Sequence, residues 1–145
     1  MKVEIFDNPY DPWKESCAYE KQYLREGGHG AKSIFIGSMR DMNEGDAVTS
    51  MVLEHYPEMT LKHLEKIATN ALDKFDVLDV MILHRVGEVF PSDPIVCVVV
   101  WSIHRSQAYN ANRYIMEDLK SKAPFWKKET LKTEAERWVD KNTPG

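Results

Sequence analysis

The run at residues 94–103, Pro-Ile-Val-Cys-Val-Val-Val-Trp-Ser-Ile, is the longest apolar stretch of this chain. It falls far short of the ~20 residues that a membrane-spanning helix requires, and it is strand-sized. A strand this apolar has to be covered, and the chain carries the cover. Leu61, Leu64, Ile67, Ala68, Ala71, Leu72 and Phe75 recur at spacings of three and four, an amphipathic helix whose stripe faces a sheet. Ala108, Ala111, Ile115 and Leu119 give a second stripe, in a helix from Ser106 to about Lys122 that Pro124 ends.

The other elements follow from their punctuation. Asp11 can cap and Pro12 can open a helix running to Arg25, which Gly27-Gly28 stops. Strands are expected at residues 33–38, 47–55, 77–85 and 95–104, with a polar turn at 40–46 and a connection at 87–94. The order is βαββαββα followed by an irregular tail. This is a single α+β domain over residues 1–145, with helices packed on a mostly antiparallel sheet.

Composition narrows the function. A net charge of −4 argues against binding nucleic acid by bulk electrostatics. The first residues, Met1-Lys2-Val3-Glu4-Ile5-Phe6-Asp7, place an acid where a signal peptide needs its apolar stretch, and no segment is long enough for a membrane, so a cytoplasmic protein is expected. Cys17 and Cys97 form no metal-ligand spacing and neither sits in a nucleophile's setting. The five histidines join in no HExxH, and no metal site, catalytic triad or phosphate-cradling glycine loop is apparent.

Charge is unevenly spread. Between His104 and Lys128 there are six Lys/Arg against two acids, so a basic site sits on an acidic body. That favours a small anionic ligand or one acidic partner surface. Its densest part is Lys120-Ser121-Lys122-Ala123-Pro124-Phe125-Trp126-Lys127-Lys128-Glu129. Aromatics in a lysine cluster suggest a rigid, partly buried turn presenting ammonium groups; the plain alternative is a helix end, a proline stop and an aromatic anchor.

Two His-Arg pairs, His84-Arg85 and His104-Arg105, each end a strand. If those strands are hairpin neighbours the pairs lie at opposite edges, so one pair at most need be in a site. His104-Arg105 is the better candidate, because Ser106 can cap the last helix and a helix N-terminus beside an arginine suits a phosphate. Arg113, Met116 and Lys120 share one face of that helix; they are either pocket lining or a solvated face. Arg40 sits in a turn after a strand, where it can reach a ligand or simply face water. Lys120 and Lys127 flank the aromatic insert, where a lysine near other cations can act as base or nucleophile.

Taken in order, several short segments are informative together. They are Gly37-Ser38-Met39-Arg40-Asp41 with Asn43 and Gly45, Glu54-His55-Tyr56-Pro57-Glu58-Met59, His84-Arg85-Val86-Gly87, His104-Arg105 with Ala108, Leu119-Lys120 through Pro124-Phe125-Trp126-Lys127-Lys128-Glu129, and Arg137-Trp138-Val139. This set resembles the large, catalytic subunit of molybdopterin synthase. The resemblance implies an α/β hammerhead fold and a sulfurtransferase reaction. In that family cyclic pyranopterin monophosphate (precursor Z) receives two sulfurs, carried as a thiocarboxylate on the C-terminal glycine of a small ubiquitin-like subunit. It further implies a homodimer within a heterotetramer, and no cofactor, since the partner brings the sulfur.

Matched position by position, the catalytic lysines are Lys120 and Lys127. Arg40, His104 and Arg105 match the substrate pocket, with Phe35 and Met116 as its lining. Met39 stands where the family commonly has an aliphatic residue. The short tail ending Lys141-Asn142-Thr143-Pro144-Gly145 bears on any contact a longer tail makes across the dimer. The rival readings are a non-catalytic module that docks a ubiquitin-like tail or a phosphorylated metabolite, and a structural homodimer with a basic patch.

Overall fold

A computed structural model describes residues 1–140; residues 141–145, the short tail named above, lie outside the described residues. The order is β1 (Lys2–Phe6), α1 (Pro12–Tyr23), β2 (Ala31–Ser38), β3 (Met42–Asn43), β4 (Asp46–His55), α2 (Pro57–Lys74), β5 (Asp79–Arg85), β6 (Gly87–Val89), β7 (Pro94–Ser102), α3 (Arg105–Lys122), β8 (Phe125–Leu131) and β9 (Glu136–Trp138). The α+β class and the mostly antiparallel pairing are as expected; β1 with β5 is a parallel pair.

The first sheet runs β1-β5-β7-β2, so the apolar run of residues 94–103 lies inside it, hydrogen-bonded on both sides. Its alternate side chains enter two cores. Val96, Val98 and Val100 join Val80 and Ile82 beneath Leu64, Ile67 and Ala71 of α2 and Ala111, Ile115 and Leu119 of α3. Cys97, Val99 and Trp101 face the other way, onto Met81, Leu83 and Tyr19 of α1. Helix α1 begins where the sequence places it: Asp11 accepts from the N–H groups of Trp13 and Lys14 at 3.0 and 3.2 Å. Leu64 has no exposed surface. Leu64→Ala is expected to cost about 2–5 kcal/mol, read as a lower urea midpoint with an unchanged slope.

The second sheet, β3-β4-β8-β9 with β6 also on β4, corrects the expected irregular tail. Pro124 ends α3 but leads into a strand rather than a rigid turn. Phe125, Lys127, Glu129 and Leu131 point to one side of β8, and Trp126, Lys128 and Thr130 to the other. Phe125 and Leu131 pack with Met39, Val48, Met51, Leu53, Val86 and Val89 in a third core. The period of two is hidden because charged residues occupy two of the inward positions. The segments expected to be a turn and a connection likewise contain β3 and β6. Glu44 and Gly45, with φ of 51° and 81°, form the two-residue loop between paired Asn43 and Asp46. Both central residues are left-handed, the conformation that a tight hairpin turn demands.

β5 and β7 run antiparallel with His84 opposite Val96, so the two His-Arg pairs do lie at opposite edges of the sheet. At the later pair, His104 rather than Ser106 is the N-cap of α3. Ser102 Oγ donates to the His104 carbonyl at 2.5 Å, and the chain turns directly into the helix, leaving Ser106 inside the first turn.

Candidate active site

Two cavities meet where the sheets and α3 come together. The smaller, about 170 Å³, is walled by Met39 and Arg40 after β2, His84 of β5, Lys120 of α3, and Phe125, Lys127 and Glu129 of β8. The larger, about 930 Å³, runs along β2 and α3 past Phe35, Arg105, Tyr109, Asn112, Arg113 and Met116. Phe35, Gly37, Ser38, Arg40 and Lys120 line both, so they form the junction. The backbone is close-packed there: a Cβ on Gly37 would come within 2.8 Å of Val96 Cγ1 and 3.2 Å of the Phe35 ring.

The fold thus brings together Phe35, Arg40, Arg105, Met116, Lys120 and Lys127, from elements far apart in the chain. Arg105 is the first residue of α3 and lines the larger cavity, beside unpaired helix N–H groups. Met116 is buried, and Arg113 pairs with Glu117 at 2.8 Å. His104 is exposed and lines neither cavity; its backbone caps the helix.

Lys127 is the electrostatic centre of the smaller cavity. Burial, then the charge of Lys120 and a hydrogen bond between the two side chains, lowers its amine from 10.5 to about 8; the Glu129 carboxylate opposes this. With its amine brought down to about 8, Lys127 can give up its proton far closer to neutrality than an ordinary lysine.

Two further residues in this cavity lie outside the set drawn from the sequence. His84 is buried, stacked on the Phe125 ring with centroids 3.8 Å apart, and its Nδ1 lies 2.8 Å from the Arg85 carbonyl. A carbonyl can only accept, so Nδ1 carries the proton and Nε2 is the acceptor. Burial, reinforced by the charges of Lys127 and Lys120, lowers this imidazole to about 3, so it is neutral in the working range. Arg85 itself donates to the Val86 and Glu88 carbonyls, which makes it structural. Glu129 is the second residue; its carboxylate accepts from Asn43 Nδ2 at 2.6 Å and from Arg137 Nε at 2.9 Å. The alternation Lys127-x-Glu129 would have flagged it, had the segment been read as a strand.

Among the described residues, no cluster of three or more His, Cys, Asp or Glu is placed to hold a metal ion, and no helix is long and apolar enough to cross a membrane. Cys97 is buried, and its burial pushes the thiol up to about 11; Cys17 is exposed, and neither is in a disulfide.

The profile of the family described as MoaE protein matches residues 10–122. The chain belongs to the MoaE family. It is 44% identical over 140 residues to the molybdopterin synthase catalytic subunit of Pasteurella multocida, a match covering 97% of this chain and 90% of that protein. The same-named protein of Haemophilus influenzae is 45% identical over 141 residues, with the same coverage. These matches extend past the MoaE profile into β8, which carries Lys127 and Glu129. In structure the chain is similar to a molybdopterin biosynthesis MoaE protein from Burkholderia ambifaria (TM-score 0.80, 40% identity, 99% of this chain and 92% of that one). It is similar too to molybdopterin synthase from Staphylococcus aureus (TM-score 0.82, 31% identity, 94% and 95%).

Proposed function

We propose that this chain, acting as one domain, is the catalytic subunit of a molybdopterin synthase. It transfers sulfur from the C-terminal thiocarboxylate of a small ubiquitin-like subunit to cyclic pyranopterin monophosphate, forming the dithiolene. The observation that carries this reading is the junction itself. A lysine pair stands where a small cavity, suited to a narrow peptide tail, opens into a larger one with an arginine at a helix N-terminus. Family membership supports the same reading.

The residues divide the work. Arg105 and the first N–H groups of α3 hold the phosphate, with His104 at the entrance to that helix. Phe35 and Met116 give the pterin an apolar wall, and Arg40 at the junction meets negative charge on either ligand. Each sulfur bonds to a side-chain carbon of the pterin as an oxygen substituent leaves that carbon, which gives a thioester. Water then attacks the acyl carbon, and the acyl carbon–sulfur bond breaks with the sulfur left on the pterin as a thiolate. Water supplies the oxygen that leaves the tail as a carboxylate. Lys127, as a neutral amine, takes the proton of that water, and the Lys120 ammonium faces the oxyanion that develops on the acyl carbon. Sulfur arrives with the partner, so the chain needs no resident cofactor and no cysteine nucleophile. Two copies of each subunit make a heterotetramer around a dimer of this chain, in the cytoplasm, where Cys17 and Cys97 stay reduced.

Reconstitution tests this. Mixed with a thiocarboxylated small subunit and the cyclic phosphorylated pterin, the protein is expected to yield the dithiolene. A complex that demonstrably forms and yet makes no dithiolene would overturn the assignment.

A further inference from the structure

Glu129 lies two residues from Lys127 on the same face of β8, yet the carboxylate is not spent on that amine. Among the described residues its ion partner is Arg137 of β9, opposite it across the β8–β9 ladder. Both carboxylate oxygens are engaged, Oε1 by Asn43 and Oε2 by Arg137. The guanidinium has further work: Nη1 donates to Asp46 Oδ2 at 2.8 Å, and Nη2 donates to the Asn43 carbonyl at 2.8 Å. Glu44 adds a looser charge at 3.7 Å. The tight β3–β4 loop is what makes this possible, because it sets Asn43 and Asp46 side by side within the span of one planar fork.

We propose that Arg137 is a positioning residue for sulfur transfer: by fastening Glu129 to the β3–β4 hairpin, it keeps that carboxylate from forming an ion pair with Lys127. This rests on the role given to Lys127 above. The charged groups facing Lys127 are Lys120 from α3 and Glu129 from its own strand, with the neutral His84 from β5 and with Arg40 on the same cavity wall. Around Glu129 stand Arg137 from β9, Asn43, Glu44 and Asp46 from the hairpin, and Lys127. Without the guanidinium, Glu129 keeps a buried charge whose facing cation is Lys127. The pair then closes, and the amine is held protonated and hydrogen-bonded, unable to accept a proton.

The decisive measurement is the titration of Lys127 in protein labelled with 13C at lysine Cε, its resonance identified by its loss in Lys127→Met. Arg137→Gln should move the Lys127 midpoint upward from about 8 by about one unit or more, as an opposite charge at close range does. Arg137→Lys keeps a charge but cannot span Glu129 and the Asn43 carbonyl together, so it should move the midpoint in the same direction by less. It also provides the test if the glutamine variant does not fold. Adding Glu129→Gln to either variant should abolish the upward movement. The alkaline limb of single-turnover sulfur transfer should shift with the midpoint. A Lys127 midpoint that stays put or falls in the Arg137 variants, or an upward shift that survives Glu129→Gln, overturns the proposal. The titration needs no turnover, so failure of the clasp is distinct from failure of the sulfur-transfer reading, in which the wild-type complex makes no dithiolene.

Discussion

Replacing Lys127 with alanine is expected to slow single-turnover sulfur transfer by about 10²- to 10⁴-fold, the range for loss of a positioned base. Affinity for the small subunit should change little. Lys127 points into the smaller cavity, and its low midpoint comes from burial and from Lys120. In wild type the rate should therefore rise with pH through about 8, as the amine loses its proton. In Lys127→Ala that limb should be absent rather than displaced. A non-catalytic docking module predicts the reverse pattern, with weaker association and no rate to lose. Stability carries a second signature. The amine titrates at about 8 in the folded chain against 10.5 ordinarily, so between those values the unfolded chain holds a proton that the folded one lacks. Stability should rise with pH from about 8 to about 9, above which the buried Cys97 thiol, raised from 9 to about 11, pulls the other way; Lys127→Met should remove the rise. Urea unfolding at several pH values measures it.

Lys120→Met should behave differently, although the two lysines are neighbours. Its loss removes both the ammonium at the developing oxyanion, worth about 10²- to 10³-fold in rate, and the charge that holds Lys127 down. The alkaline limb should then persist but move to higher pH, so part of the lost activity returns as pH is raised. Lys120→Arg keeps the charge and should leave the limb near its wild-type position, while the changed shape at the junction still reduces the rate. If the two lysine variants gave identical pH profiles, the division of roles between them would be wrong. A pH–rate series on each variant, run with the preformed complex, decides the matter.

Much of this was legible in the sequence where one physical signal dominated. The helical stripe of Leu64, Ile67 and Ala71 and the apolar run around Val98 specify burial, and both lie in the core. The His-Arg pairs fell at opposite edges because antiparallel neighbours must run in reverse. The tail hides its strand for an equally physical reason. Lys127 and Glu129 take inward positions on β8, where a strand ordinarily shows apolar residues, so the site's own charges erased the pattern that would have revealed the strand. Glu129 is hidden with it, since its neighbours Asn43 and Arg137 come from other strands. The sequence favours His104 over His84 because a helix N-terminus can be read from sequence, whereas stacking beneath Phe125 cannot. Ser106 looked like the cap, but the short turn after Ser102 gives that position to His104.

The most direct test of sulfur transfer follows the sulfur. The small subunit is loaded as its thiocarboxylate, assembled with this chain and exposed to the cyclic phosphorylated pterin, and the mass of its C-terminus is followed alongside the dithiolene. Two thiocarboxylates should become carboxylates for each dithiolene formed, with no conversion when the pterin is left out and almost none in Lys127→Ala. A thiocarboxylate that stays intact in the assembled, pterin-bound complex, or that hydrolyses at the same rate without pterin, would contradict the account.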